Sequence, residues 1–192
     1  MEKPYFLMSA KEKERARKRR IKETQRALNK QLRSLDKYQE KILKLAQKAQ
    51  ETNSTREFDY ASKSLGTIIK CKHYIQAMSL RMDVMDVMSS VVTVTAKAFN
   101  TLDNISKETI KISDKLNADN AIENIEEVMD RMNDLFEEMD ELLSVGEDQE
   151  TDAETQSQIN RMIEETRIAQ HGAIDSEIDA LLAQNGLKAS NI

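Results

Sequence analysis

The chain has 192 residues, 33% of them charged and 4% aromatic, with four glycines, a single proline, Pro4, and no tryptophan. Such a composition describes long helices, offers little with which to line an enzyme pocket, and with Cys71 as the only cysteine excludes an intrachain disulfide. The net charge of -5 conceals an uneven division: residues 1–50 carry 16 basic against 6 acidic side chains, residues 51–110 carry 7 of each, and residues 111–192 carry 6 against 21, so the chain is a dipole along its own length.

The first segment is PYFLM, residues 4–8, whose Tyr5, Phe6 and Leu7 form an apolar tip ahead of a basic run. Nothing in it has the basic, apolar and cleavage-site pattern of a secretion signal, so a cytoplasmic protein is expected. Lys97 and Asp103 interrupt the longest apolar stretch, around 84–102, well short of the roughly 20 residues that a membrane span requires. Any membrane contact is expected to be peripheral.

Residues 10–51 read as one helix. Arg15, Arg19, Lys22, Arg26, Lys30, Arg33, Lys37, Lys41, Lys44 and Lys48 recur at steps of three or four. At about 3.6 residues per turn these ten cations stay nearly in line over roughly 50 Å. Ile21, Leu28, Leu35, Ile42 and Ala49 recur at an interval of seven on the opposite side, with Leu32, Tyr38 and Leu45 between them. The apolar seam is expected to pack against a partner helix and the cations to face outward. TNST at 52–55 breaks the helix, and Ser54 or Thr55 can cap the next one, giving an antiparallel hairpin.

The second helix begins near Arg56 and meets no proline before NADN at 117–120. Its apolar positions include Tyr60, Leu65, Ile68, Ile69, Tyr74, Met78, Met82, Met85, Met88, Val91, Val92, Phe99, Leu102, Ile105 and Ile112. SSVVTVTA at 89–96 and TLDNIS at 101–106 have poor helix propensity and are the expected break points. The stripe Met78, Met82, Met85, Met88 reads as packing or as an adaptable interface.

An acidic helix follows, capped by Asp119 or Asn120. Ile125, Met132 and Met139 take one heptad position and Val128, Leu135 and Leu142 the matching one, with carboxylates elsewhere. Gly146 is placed to end it, and GEDQETDAET reads as an acidic linker. Ile159, Met162 and Ile163 mark a further amphipathic turn, and Ile174, Ile178, Leu181 and Leu182 one side of a last short helix that NG at 185–186 terminates. The expected organisation is an apolar tip at 1–9, a basic hairpin with extended middle helices at 10–116, an acidic helix at 117–145, a linker at 146–156 and short helices at 157–192.

Chemistry finds little purchase here. Cys71 and His73 point to different sides of a helix, His171 stands beside a glycine, and no glycine-rich phosphate loop, zinc spacing or calcium loop is present, so no catalytic residue, cofactor or metal is assigned. Three long anions suit the basic stripe: the acidic half of the chain, nucleic acid or an anionic membrane. Nucleic acid is disfavoured, because base recognition calls for aromatic or base-reading side chains and the stretch offers only Tyr38. A lipid surface needs only charge, each Lys or Arg near it adding about 1 kcal/mol, and an apolar tip such as Tyr5, Phe6 and Leu7 would supply the second signal of reversible attachment.

Helix one, with IKETQRALNKQLRSLDKYQEKI, resembles the N-terminal signature of the ESCRT-III family, the charged multivesicular body proteins, and residues 18 to about 145 follow that family's plan of basic hairpin, further helix and acidic helix. The resemblance implies an all-α, elongated, non-enzymatic subunit with open polymerised and closed autoinhibited states. Such a subunit assembles with itself and other ESCRT-III subunits on anionic membranes, drives budding, scission or repair, and is disassembled by a AAA ATPase through its MIT domain. By position, residues 15–48 become the membrane-facing or tail-gripped surface, the seam of Ile125, Val128, Met132, Leu135, Met139 and Leu142 the movable polymer or autoinhibitory element, and Ile174, Ile178, Leu181 and Leu182 the candidate ATPase-binding helix. The last element departs from the family's pattern, since Asp175, Glu177 and Asp179 stand where a basic residue is usual. The alternative is a cytosolic coiled-coil tether or adaptor without membrane activity.

Overall fold

The computed structural model describes residues 7–91, 96–116, 125–147 and 174–187. Five helices account for most of them: α1 (Ala10–Glu51), α2 (Thr55–Val91), α3 (Ala96–Leu116), α4 (Ile125–Glu147) and α5 (Ile174–Gln184). α1 starts in a capping box, the Ser9 hydroxyl accepting from the Glu12 N–H at 3.3 Å and the Glu12 carboxylate accepting from the Ser9 N–H at 2.7 Å. It ends in a Schellman turn: Asn53 takes a positive φ of 52°, Asn53 N–H donates to Gln50 O at 3.1 Å and Ser54 N–H to Ala49 O at 2.8 Å. The Ser54 carbonyl then accepts the first hydrogen bond of α2, from Phe58 N–H. Three residues thus reverse the chain, as expected, and Ile21, Leu28, Leu35, Ile42 and Ala49 are all buried in the hairpin.

The proline-free stretch beyond is two helices. The described part of α2 ends at Val91 and α3 begins at Ala96, both within the first of the two expected break points, 89–96. The second, 101–106, lies inside α3: Leu102 and Ile105 are buried to 1% and 0%, and their packing overrides the weak propensity of the segment. Cross-helix contacts give the directions. Gln25 meets Asp83 and Lys72 meets Asp36, so α2 runs antiparallel to α1; Arg20 meets Asp103 and Gln31 meets the Thr109 carbonyl, so α3 runs parallel to it. α4 returns antiparallel to α3, with Lys97 at Glu141 and Lys115 at Glu127.

α1 and α4 each pack against both α2 and α3, and they therefore occupy opposite corners of a four-helix bundle. One contiguous core of leucine, isoleucine and methionine fills it, broader than the narrow seams that so few aromatics suggest. Tyr60, expected among the apolar positions, is instead 56% exposed. α4 carries helix through Gly146 to Glu147, so that glycine is not the stop residue expected. Met88, Val91 and Val92 side chains, Asp119, Asn120, Ile159, Met162 and Ile163 lie outside what is described.

The two faces of α1 bury different chemistry. Gln31 and Ser34 of α1 and Ser106, Thr109 and Ser113 of α3 are all buried polar side chains. Gln31 Nε2 donates across to Thr109 O at 2.8 Å, while the Ser34 and Thr109 hydroxyls turn back to their own helix carbonyls. Finally α5 lies on α2, where Ile178 Cδ1 stands 3.2 Å from the place a Cβ on Gly66 would take and His73 Nε2 is 2.8 Å from Glu177. Its end is a second Schellman turn with Gly186 at φ 70° and Leu187 folded back onto Leu182, both buried.

Candidate functional site

All ten cations of the α1 stripe are exposed. The heptad seam behind them is committed to α2 and α3, which forces the opposite side of the helix into solvent and fans the ten side chains over an arc of about 100°. Glu23 and Glu40 are the carboxylates that fall among them. Glu23 is held by Arg19 at 2.9 Å and Arg20 at 3.0 Å; burial pushes its carboxyl up, and the two guanidinium bonds outweigh that and leave it below the ordinary carboxylate range. Lys30 reaches Asp114 of α3 at 3.3 Å, and Lys41 lies 5.2 Å from the centre of the Tyr38 ring. Among the described residues Arg15, Lys22, Arg26, Arg33, Lys37, Lys41, Lys44 and Lys48 form no ion pair. Exposed cations without an internal partner are open to an external anion.

The acidic helix does not cover this face. Its carboxylates meet α3 instead: Glu141 with Lys97 at 3.7 Å, Glu138 with Asn104 at 3.2 Å, Glu127 with Lys115 at 2.7 Å, while Arg131 approaches Glu108 at 3.9 Å. α4 packs on α2 and α3, away from the α1 cations. The linker at 148–156 lies outside the described residues.

Ile125, Val128, Met132, Leu135 and Met139 are all buried along one side of α4; the side chain of Leu142 is not among those described. Leu7 is 56% exposed, and Tyr5 and Phe6 lie outside the described residues. On α5, Leu182 is buried, Ile178 is half-buried against the core and Leu181 is half-buried, so part of the face that would bind an ATPase domain is turned into the molecule; Ile174 is undescribed beyond its backbone.

Three contacts went unread in the sequence. Arg81, buried, stacks on Phe136 with its guanidinium carbon 3.3 Å from the ring centre; Gly66 leaves the notch for Ile178; His73 reaches Glu177. Only Gly66 gave a signal, as a glycine inside a helix without a turn to serve. Cys71 is buried with its sulfur 3.8 Å from that of Met132, and burial pushes its thiol up to about 12. Among the described residues no group of three or more His, Cys, Asp or Glu side chains is arranged to hold a metal ion, and no helix is long and apolar enough to cross a membrane.

Comparison of the chain with protein-family models, with curated proteins and with solved structures returns no match.

Proposed function

We propose that this chain is an ESCRT-III-like, filament-forming subunit that binds anionic membrane through the basic face of α1 and remodels it. The observation that carries the reading is the row of ten exposed cations along roughly 50 Å of one helix, eight of them without an ion pair among the described residues. A straight helix lying on a lipid surface meets head groups along its whole length, and contributions of about 1 kcal/mol per cation add to useful affinity while staying sensitive to salt. Leu7, exposed at the entrance to α1, with Tyr5 and Phe6 before it, supplies the apolar anchor.

The bundle is the closed state in this reading. Opening moves α4 and α5 off α2, lets α2 and α3 join into a longer helix, and frees apolar seams for neighbouring subunits of the same kind. Ile178 and Leu182 then become available to an MIT domain of a AAA ATPase. A coiled-coil tether would need an apolar seam turned toward its partner, and those of α1 and α4 are buried within this chain.

The test is co-sedimentation of the full chain with anionic and neutral vesicles, followed by negative-stain electron microscopy of the pellets. Binding to anionic vesicles alone, with filaments or tubules, is expected, and its loss when Lys22, Arg26, Lys30 and Arg33 are replaced by Glu. Undiminished binding of that variant at physiological salt would remove the basic face from the mechanism.

A further inference from the structure

α4 carries an acidic counterpart to the stripe on α1. Glu127, Asp130, Asp134, Glu137 and Glu141 recur at steps of three and four and are all exposed. Helical geometry places them within an arc of about 80°, opposite the buried side of α4, along about 21 Å. A segment of α1 of the same length, from Lys30 to Lys44, presents Lys30, Arg33, Lys37, Lys41 and Lys44, also all exposed. Five anions are exposed on one helix, Glu127 and Glu141 of them also paired with Lys115 and Lys97 of α3, and five cations over an equal length on the other, Lys30 of them also paired with Asp114. Asp130 and Asp134 on α4, like Arg33, Lys37 and Lys44 on α1, form no hydrogen bond or ion pair among the described residues, and Glu137 only accepts from Asn133 at 3.3 Å.

The bundle decides how these faces can meet. α1 and α4 occupy opposite corners, each turned inward against α2 and α3, so the two charged faces point away from one another. They cannot neutralise each other within one closed molecule. Two copies cannot form both contacts with each other either, because each presents its second face on the far side. The contact is heterologous, leaving one cationic and one anionic face open at the ends of any row.

We propose that the closed molecule associates with a second copy of itself, the α1 basic face of one against the α4 acidic face of the next, building open rows without lipid. The occupant follows from charge complementarity: equal formal charge number over an equal helical length, at steps of three and four, with opposite sign. The contact uses the face assigned above to lipid but does not depend on lipid binding, and lipid and the acidic face compete for it. Exposed pairs of this kind are individually weak and screened by salt, so the rows are dynamic and form at low ionic strength.

Sedimentation velocity of the full chain without vesicles tests this. At about 25 mM salt, where charges interact over roughly 20 Å, the weight-average sedimentation coefficient should climb with protein concentration, and at about 300 mM, where the range is roughly 6 Å, it should return to the monomer value. One variant reverses α1 (Arg33→Glu, Lys37→Glu, Lys44→Glu) and another reverses α4 (Asp130→Lys, Asp134→Lys, Glu137→Lys). All six side chains are exposed, so both variants should keep the helical circular dichroism of the parent. Each alone should associate at least roughly tenfold more weakly than the parent, because like charges now meet. Their equimolar mixture should associate again, since every reversed face finds its complement. A parent chain that stays monomeric at low salt, a single-face variant that associates as the parent does, or a mixture that stays monomeric would each overturn the proposal, whatever the outcome with vesicles.

Discussion

The guanidinium carbon of Arg81 lies 3.3 Å from the centre of the Phe136 ring, and both side chains are buried between α2 and α4. Tyr74 meets the same ring edge-on at a centroid distance of 6.0 Å. Phe136 therefore supplies apolar area, an aromatic contact and the π face that receives a buried cation. Phe136→Leu keeps a hydrophobic side chain but removes the last two, and should lower stability by about 2–3 kcal/mol. Urea unfolding measures it; a loss below about 0.5 kcal/mol would mean the cation–π contact adds nothing.

Gly66 is the notch in which α5 seats. Gly66→Ala should be tolerated: the contact at 3.2 Å is with the far end of the Ile178 side chain, which can shift by a few tenths of an ångström, and alanine favours the helix by about 1 kcal/mol. Gly66→Leu fills the notch and should lift α5 away. Amide exchange across 177–184 should then rise at least tenfold while that of α1 stays unchanged. Equal protection of α5 in both variants would show that Leu182 and Leu187 hold it without the notch.

Cys71 is both a pH-dependent element and a reporter. Burial pushes its thiol to about 12 from 9.0, so above pH 9 the unfolded chain loses this proton while the folded one keeps it. Stability conferred by keeping the thiol neutral is complete below pH 9 and falls as pH rises from there toward 12, by about 1 kcal/mol at pH 10. Cys71→Ala should show a correspondingly shallower decline between pH 8 and pH 10. At pH 8 the native thiol should react with a disulfide reagent far more slowly than the unfolded chain. Because its sulfur packs on Met132, anionic vesicles that detach α4 should accelerate the reaction. Unchanged reactivity on vesicles would count against opening.

Asp83 behaves in the opposite sense to Glu23. Burial, and then the neighbouring Asp86, raise its carboxyl above 3.8, while its bond from Gln25 Nε2 at 2.7 Å lowers it and offsets them only in part. As pH rises through that range the unfolded chain ionises first, so the charged carboxylate slightly disfavours folding at neutral pH and has no effect at pH 3. Asp83→Asn keeps an oxygen to accept from Gln25 and should be at least as stable as the parent at pH 7, with the difference vanishing in acid. A less stable variant at pH 7 would mean that the negative charge itself is used.

Much of this architecture was legible. Periodic apolar residues gave α1 and its buried seam, and the TNST segment marked the reversal, because both signals are local and one helix face or one turn suffices to read them. Direction in space was not legible. The weak propensity of 89–96 marked a break within 56–116, but nothing local told that α3 would pack back on α1; that rests on Arg20 finding Asp103 and Gln31 finding Thr109, residues 78 or more positions apart. The cationic face of α1 could be read for the same reason as its seam. That α4 turns its carboxylates away from it could not, since this depends on which corner of the bundle each helix takes.

The three-residue reversal at 52–54 bears on how the molecule is built. It places Ala49 and Phe58, both buried, at the start of two seams that continue outward from the turn, so pairing can begin where the chain is already close and extend like a zipper. Closing so short a loop costs little entropy, whereas α4 must find partners on helices dozens of residues away. The hairpin of α1 and α2 is therefore the template on which the remaining helices dock, and a nascent chain released as far as residue 91 already holds both halves of its first interface.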